Sequence, residues 1–149
     1  MSYILLVSSN SDAINKSSEL LMRNGVQIYT ERYGREAIKR IEREEPKVIF
    51  VDNFLEDMLG FDIILQMREL YPQGDGNIIF AEHYRDINQP IIDWSWYIDS
   101  YVQKPFSAWQ ITLCVEQCLY RSVIKNNQVP PYLLEIKASI EKVKTEWQL

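Results

Sequence analysis

Four short stretches hold the side chains with which this chain could do chemistry. Asp52 ends the apolar run Val48-Ile49-Phe50-Val51, and Lys104 stands just before Pro105. Glu82-His83 follows Ile78-Ile79-Phe80-Ala81, and Ser8-Ser9-Asn10-Ser11-Asp12 follows Tyr3-Ile4-Leu5-Leu6-Val7. A carboxylate at the end of one such run can act as a nucleophile or a ligand, and a lysine at the end of another is a point charge suited to an oxyanion. A plain, partly buried ion pair would use the same Asp52 and Lys104. His83 is the only histidine, so no His cluster for zinc and no Cys/His pair for nucleophilic catalysis can be built around it.

These run ends converge only if one open parallel sheet carries them all, because in such sheets ligands gather at the carboxyl ends of the strands. The spacing supplies that sheet. A strand over Tyr3–Val7 leads into a helix with Ile14, Leu20, Leu21 and Met22, closed by Arg23-Asn24-Gly25. Val26–Thr30 alternates as a second strand, and Ala37, Ile38 and Ile41 mark a helix over 34–44 that Pro46 stops. Lys47 to Asp52 holds the unbroken apolar run Val48-Ile49-Phe50-Val51 and ends in an acid, the pattern of a strand covered on both faces. A helix over 60–71, a loop from Pro72 to Gly76 and a strand at Ile78–Ala81 follow. Between Tyr84 and Tyr97, Pro90 predicts a short or broken helix. Tyr101–Gln103 reads as a fifth strand, and Ser107 as the N-cap of a helix reaching about Lys125. Five strand–helix units in alternation predict a parallel sheet with helices on both faces.

Composition agrees with a single globular domain: 149 residues, 46% apolar and 25% charged. The net charge of −5, with no run of Lys and Arg, argues against nucleic acid or anionic lipid and for protein partners. Cys114 and Cys118 lie four apart on one predicted helix, a geometry poorly suited to bridging, so both are expected to be reduced, as in the cytoplasm. The first apolar run is too short for a signal peptide or a membrane span. Polar Asn126 to Pro131 divides a domain over 1–125 from an amphipathic helix over 132–149, with 126–131 as linker. In that helix Leu133, Ile136, Ile140, Val143 and Trp147 step by 3, 4, 3 and 4. Such a seam packs on its own domain, forms a homodimer, or begins a connection to an output domain.

Taken together, the pieces resemble the receiver domain of two-component response regulators over nearly all of residues 1–124. They are Ile4-Leu5-Leu6-Val7 with Asn10 and Asp12 after it, Gly34 with Glu36-Ala37-Ile38, Val48 through Asp52, Gly60-Phe61, Ile78-Ile79-Phe80, and Asp99 with Tyr101 through Phe106. The resemblance implies a flavodoxin-like, doubly wound five-stranded parallel sheet of order 2-1-3-4-5, here with an extra C-terminal helix. It also implies Asp52 at the phosphoacceptor position, Lys104 at the lysine that contacts the phosphoryl group, and Tyr101 at the aromatic that switches rotamer on activation.

Departures from the family pattern fall on the same site. Where the family has an acidic pair that holds Mg²⁺ with the phosphoacceptor, this chain has Ser8 and Ser9. Magnesium wants hard oxygen ligands and usually one or two carboxylates; only Asp52 and the backbone carbonyl of Phe54 remain as weak candidates. Glu82 aligns with the Thr or Ser that would bond the phosphoryl group, and a carboxylate about 5 Å from that charge costs roughly 3 kcal/mol at an effective dielectric of about 20. Glu82 is expected either to pair with Lys104 or to point away, and loss of the hydroxyl to uncouple Tyr101. Glu56 and Asp57 read as solvated loop acids. Trp94, Trp96, Tyr97 and Trp109 fill a gap beside a shortened helix or form an exposed patch for a partner, since Trp and Tyr are enriched at interface hot spots.

The expected function is a receiver-like signalling module, a pseudo-receiver working by protein–protein interaction, with Mg²⁺-dependent phosphorylation of Asp52 weakened or absent and no reaction of its own. Its partner would be a sensor kinase or an output protein. One alternative is a working phosphoacceptor in a phosphorelay. Another, from a different class, is a flavin-nucleotide protein with the phosphate on the loop after the first strand, although Ser8 to Asp12 contains no glycine and Asp12 brings a negative charge.

Overall fold

Alternate residues along the central strands feed two separate apolar cores, as the period of two in a β-strand requires. Ile4 and Leu6, Val48 and Phe50, and Ile79 and Ala81 point to one side. Tyr3, Leu5 and Val7, Ile49 and Val51, and Ile78 and Phe80 point to the other. A strand buried on both faces has no place for a polar side chain until it ends. The polar groups of these strands therefore collect at the strand ends.

The computed structural model describes residues 2–22, 26–83, 97–125, 138–143 and 146. In chain order its elements are β1 (Tyr3–Val7), α1 (Ser11–Leu21), β2 (Gln27–Glu31), α2 (Gly34–Arg43), β3 (Val48–Asp52), α3 (Gly60–Leu70), β4 (Asn77–His83), β5 (Ser100–Lys104) and α4 (Ala108–Lys125). The strands form one sheet of order β2-β1-β3-β4-β5, and every pairing is parallel. This is the flavodoxin-like order that the resemblance to receivers implies. One core holds Ala13, Ile14 and Leu21 of α1 with Ile111, Val115, Cys118 and Leu119 of α4. The opposite core holds Ala37 and Ile41 of α2 with Ile63, Ile64 and Met67 of α3.

Local chemistry sets the helix starts that matter for the site. The Asn10 side chain accepts from the Ala13 N–H at 3.3 Å, and α1 begins there. Ser107 and Gln110 form a reciprocal cap: the Ser107 hydroxyl accepts from the Gln110 N–H at 3.3 Å and the Gln110 side chain from the Ser107 N–H at 2.7 Å, which fixes the start of α4. The predicted Arg23-Asn24-Gly25 stop, the aromatic stretch 84–96, the linker 126–131 and the terminal seam residues Leu133, Ile136 and Trp147 lie outside the described residues. Residues 138–143 are helical, and Ile140 is buried in the same apolar cluster as residues of α1 and α4. Both cysteines are free thiols; burial first, and then the neighbouring Cys118, push the Cys114 thiol up to about 11. Among the described residues no helix is long and apolar enough to cross a membrane.

Candidate functional site

Register and side-chain alternation bring three of the predicted residues to one point. Val7 pairs with Val51, so the next residues, Ser8 and Asp52, lie side by side at the carboxyl ends of β1 and β3. Ser8 keeps the parity of Leu6, Asp52 that of Phe50 and Lys104 that of Val102, all of which face the α1/α4 core. The three polar side chains thus emerge on one face. The Ser8 hydroxyl donates to Asp52 Oδ2 at 2.9 Å, and the Lys104 ammonium donates to Oδ1 at 2.6 Å. The Phe54 N–H adds a contact to Oδ1 at 3.3 Å. Asp52 is 2% exposed, its lysine partner 16%. A carboxylate buried to that degree needs both a countercharge and hydrogen bonds to stay charged, and the site supplies both.

The surroundings hold this group in place. Ser8 Oγ also accepts from the Asn10 N–H at 3.0 Å, so the hydroxyl is oriented toward Asp52. The Lys104 ammonium sits between the rings of Phe54 and Phe106, 5.8 and 6.0 Å from their centroids. These are within the reach of cation–π attraction. At Gly60 the backbone returns so close to β3 that a Cβ would lie 2.7 Å from Val51 Cγ1 and 2.9 Å from the Asp52 carbonyl carbon. Only glycine allows α3 to start there.

Of the two loop acids, Glu56 keeps the expected solvated state, with 44% of its side chain exposed, and Asp57 departs from it. Asp57 accepts from the backbone N–H groups of Gly34 at 2.8 Å and Arg35 at 3.0 Å, capping α2 from another segment because its own preceding residue, Tyr33, makes no side-chain cap. Burial alone would raise the Asp57 carboxyl; the N–H groups of Arg35, Gly34 and Asp57 itself, with the Arg35 charge, outweigh it and hold it below the usual value. Glu56 pairs with Arg32, whose Nε donates at 3.1 Å. Together these contacts fasten the loop after β3 to the loop before α2. No local sequence signal marks Asp57 as a cap, since the helix it serves starts 23 residues earlier.

Glu82 requires a correction. In the register of β3 and β4 the residue opposite Asp52 is Ala81, and Ala81 shares the α1/α4 face. Glu82 alternates to the face of Ile78 and Phe80, where its carboxylate accepts from the Tyr101 hydroxyl at 3.2 Å. Of the two expected arrangements, pairing with Lys104 is overturned and pointing away is what the structure shows: Glu82 and Tyr101 are joined across the sheet on one face, while Lys104 pairs with Asp52 on the other. Tyr101 is bonded to a carboxylate in place of the family's hydroxyl. The residue beside Asp52 is a methyl group.

The other predicted residues scatter. Ser9 is half-buried, and its carbonyl accepts from the Ser11 N–H at 3.0 Å at the entry to α1. Tyr97 is half-buried, packs edge-on against Phe61 with centroids 5.9 Å apart and gives its carbonyl to Arg68 at 2.8 Å. Trp109 is 55% exposed at the start of α4. Trp94, Trp96 and the side chain of His83 lie outside the described residues.

The response regulator receiver domain family matches residues 4–116, from the first strand into α4. This chain belongs to that family. Among curated relatives, the receiver is 24% identical over 127 residues to the response regulator SaeR of Staphylococcus epidermidis, covering 85% of this chain and 54% of that protein. It is 27% identical over 124 residues to the alkaline phosphatase synthesis transcriptional regulatory protein PhoP of Bacillus subtilis, covering 81% and 50%. The chain thus spans about half the length of the curated relatives it matches. Two solved structures show the same fold. The signal receiver domain of a Luxo repressor protein from Vibrio parahaemolyticus superposes with a TM-score of 0.68 at 22% identity, over 84% of this chain and 95% of that one. A CheY-like receiver domain from Methanospirillum hungatei gives 0.69 at 18%, over 84% and 98%.

Receivers of this family that take phosphate use Mg²⁺, and the residues of this site do not fit that ion. Asp52 Oδ2 accepts the serine hydrogen and Oδ1 the lysine ammonium. The neighbouring strand end offers neutral Ser8 and Ser9 in place of carboxylates. Among the described residues no three His, Cys, Asp or Glu side chains come together as a metal site. One carboxylate already balanced by a lysine is a poor ligand set for a hard dication.

Proposed function

We propose that this receiver is of the degenerate kind: a signalling module that works in the cytoplasm by binding proteins, a sensor kinase or an output protein among them, with Mg²⁺-dependent phosphorylation of Asp52 weakened or absent. One observation carries the reading. Both Asp52 oxygens already have partners, Ser8 Oγ at 2.9 Å and Lys104 Nζ at 2.6 Å. The pair is therefore neutral without a metal. Ala81 opposite Asp52 adds to this, because a methyl group cannot donate a hydrogen bond to a phosphoryl oxygen.

Retention of Asp52 and Lys104 in contact favours a second reading, a phosphoacceptor of low metal affinity in a phosphorelay. Flavin binding has nothing in its favour at the loop after β1: the Asn10 side chain already takes the Ala13 N–H that a phosphate would need. Titration with beryllofluoride and Mg²⁺, followed by tryptophan fluorescence, separates the first two readings. No saturable change is expected in the natural sequence, and one should appear when Ser8→Asp and Ser9→Asp supply the missing carboxylates. A saturable change in the natural sequence that Asp52→Ala abolishes overturns the proposal in favour of the phosphoacceptor.

A further inference from the structure

The outer face of α4 is half-buried rather than open to water. Its inner face, Ile111, Val115 and Cys118, is buried in the core. At about 100° per residue, Leu113, Glu116, Gln117 and Tyr120 fall on the opposite arc, in an i, i+3, i+4, i+7 stripe that faces water on an ordinary surface helix. All four are half-buried, and of residues 108–121 only Trp109 and Arg121 are exposed. The second observation is Ile140. It is 6% exposed and belongs to the core that α1 and α4 share, whereas Ala138, Ser139, Glu141 and Lys142 around it are exposed and Val143 is half-buried. By sequence spacing Leu133, Ile136, Val143 and Trp147 lie on the stripe of Ile140. The family match ends at residue 116, before this segment begins.

We propose that the outer groove between α1 and α4 is a helix-binding surface whose occupant is this chain's own segment 132–149, docked in cis through the stripe centred on Ile140. The apolar seam is consumed within one molecule, so it does not form a homodimer. An amphipathic helix of another protein reaches the groove only by displacing it. Ser8 leads directly into α1 and Lys104 into the start of α4, so the docked helix rests on the two helices that begin at the Asp52 site. The proposal stands apart from the phosphorylation reading, because it uses none of the site's side chains.

The test keeps the full chain. A protease site is inserted within 126–131 and cut in the folded protein, and retention of fragment 132–149 is followed by gel filtration. The fragment is expected to stay with the body, and Ile140→Asp to weaken retention by at least about tenfold, the loss that one buried aliphatic side chain implies. Ser139→Asp, on the exposed side, should leave retention unchanged. Prompt loss of the fragment from the cut protein that keeps Ile140 overturns the proposal whether or not the Ile140 variant folds. So does equilibrium sedimentation of the intact chain as a dimer that Ile140→Asp or Ile140→Ala dissociates, since the seam would then act in trans.

Discussion

Asp52 closes β3 with 2% of its side chain exposed, and Asp57, in the loop that follows, has 14% exposed. Both carboxylates are withdrawn from water, and each is balanced by a different device. Asp52 meets a full charge, the Lys104 ammonium, with Ser8 and the Phe54 N–H filling the remaining lone pairs. Asp57 meets chiefly backbone dipoles, the two N–H groups at the start of α2, with the exposed Arg35 guanidinium 3.9 Å away. Depth sets the difference. A carboxylate at the end of a buried strand has lost nearly all its water and needs a cation in direct contact, whereas one at a loop tip keeps enough water for a helix N-terminus and a more distant, exposed guanidinium to serve.

That contrast breaks most visibly at Lys104. Replacing it with Met leaves Asp52 charged, buried and unbalanced, which should cost about 3–5 kcal/mol in urea denaturation at neutral pH. Asp52→Asn in the same protein should recover much of the loss; if the single Lys104 variant loses less than about 1 kcal/mol, the ion pair is not what balances Asp52.

A smaller effect is expected at the loop. Asp57→Ala removes the α2 cap and should cost about 0.5–2 kcal/mol. The folded Asp57 carboxyl titrates below its usual 3.8, so its contribution is fully present above that pH and is lost as pH falls through the lower folded value. The stability gap between the natural sequence and Asp57→Ala should therefore narrow on acidification below 3.8. A gap that stays constant from neutral pH to about pH 2 would assign the effect to packing instead of charge.

The smallest change tests the third carboxylate, Glu82. Its bond to Tyr101 is 3.2 Å long, and the tyrosine is 44% exposed. Tyr101→Phe should therefore cost less than about 1 kcal/mol, yet it should broaden the nuclear magnetic resonance signals of the residue 101 ring if the carboxylate is what fixes it. An unchanged ring signal removes Glu82 from that role.

The sequence anticipated these three acids unevenly. Asp52 and Lys104 were legible because each ends an apolar run, and strand ends in a parallel sheet converge. Glu82 was misplaced by one residue: Ala81 and Glu82 both sit where β4 ends, and only the pairing of Asp52 with Ala81 decides which faces the site. A shift of one residue exchanges the faces of a sheet. Asp57 was misread because its partner helix starts 23 residues away in the chain.

By itself, then, the sequence determined the architecture: apolar strands buried on both faces with helices between them, while the strand order came from the resemblance to receivers. It also determined that the acidic pair is absent, since Ser8 and Ser9 carry no charge in any fold. Periodicity is a local property and can be read along the chain. The tertiary structure alone decided that Ser8 donates to Asp52, that Glu82 joins Tyr101 on the opposite face, that Asp57 caps α2, and that Ile140 is buried against the core of α1 and α4. Each of these depends on inter-strand register or on contact between distant segments, and both are set by how faces pack rather than by the residues adjacent in sequence.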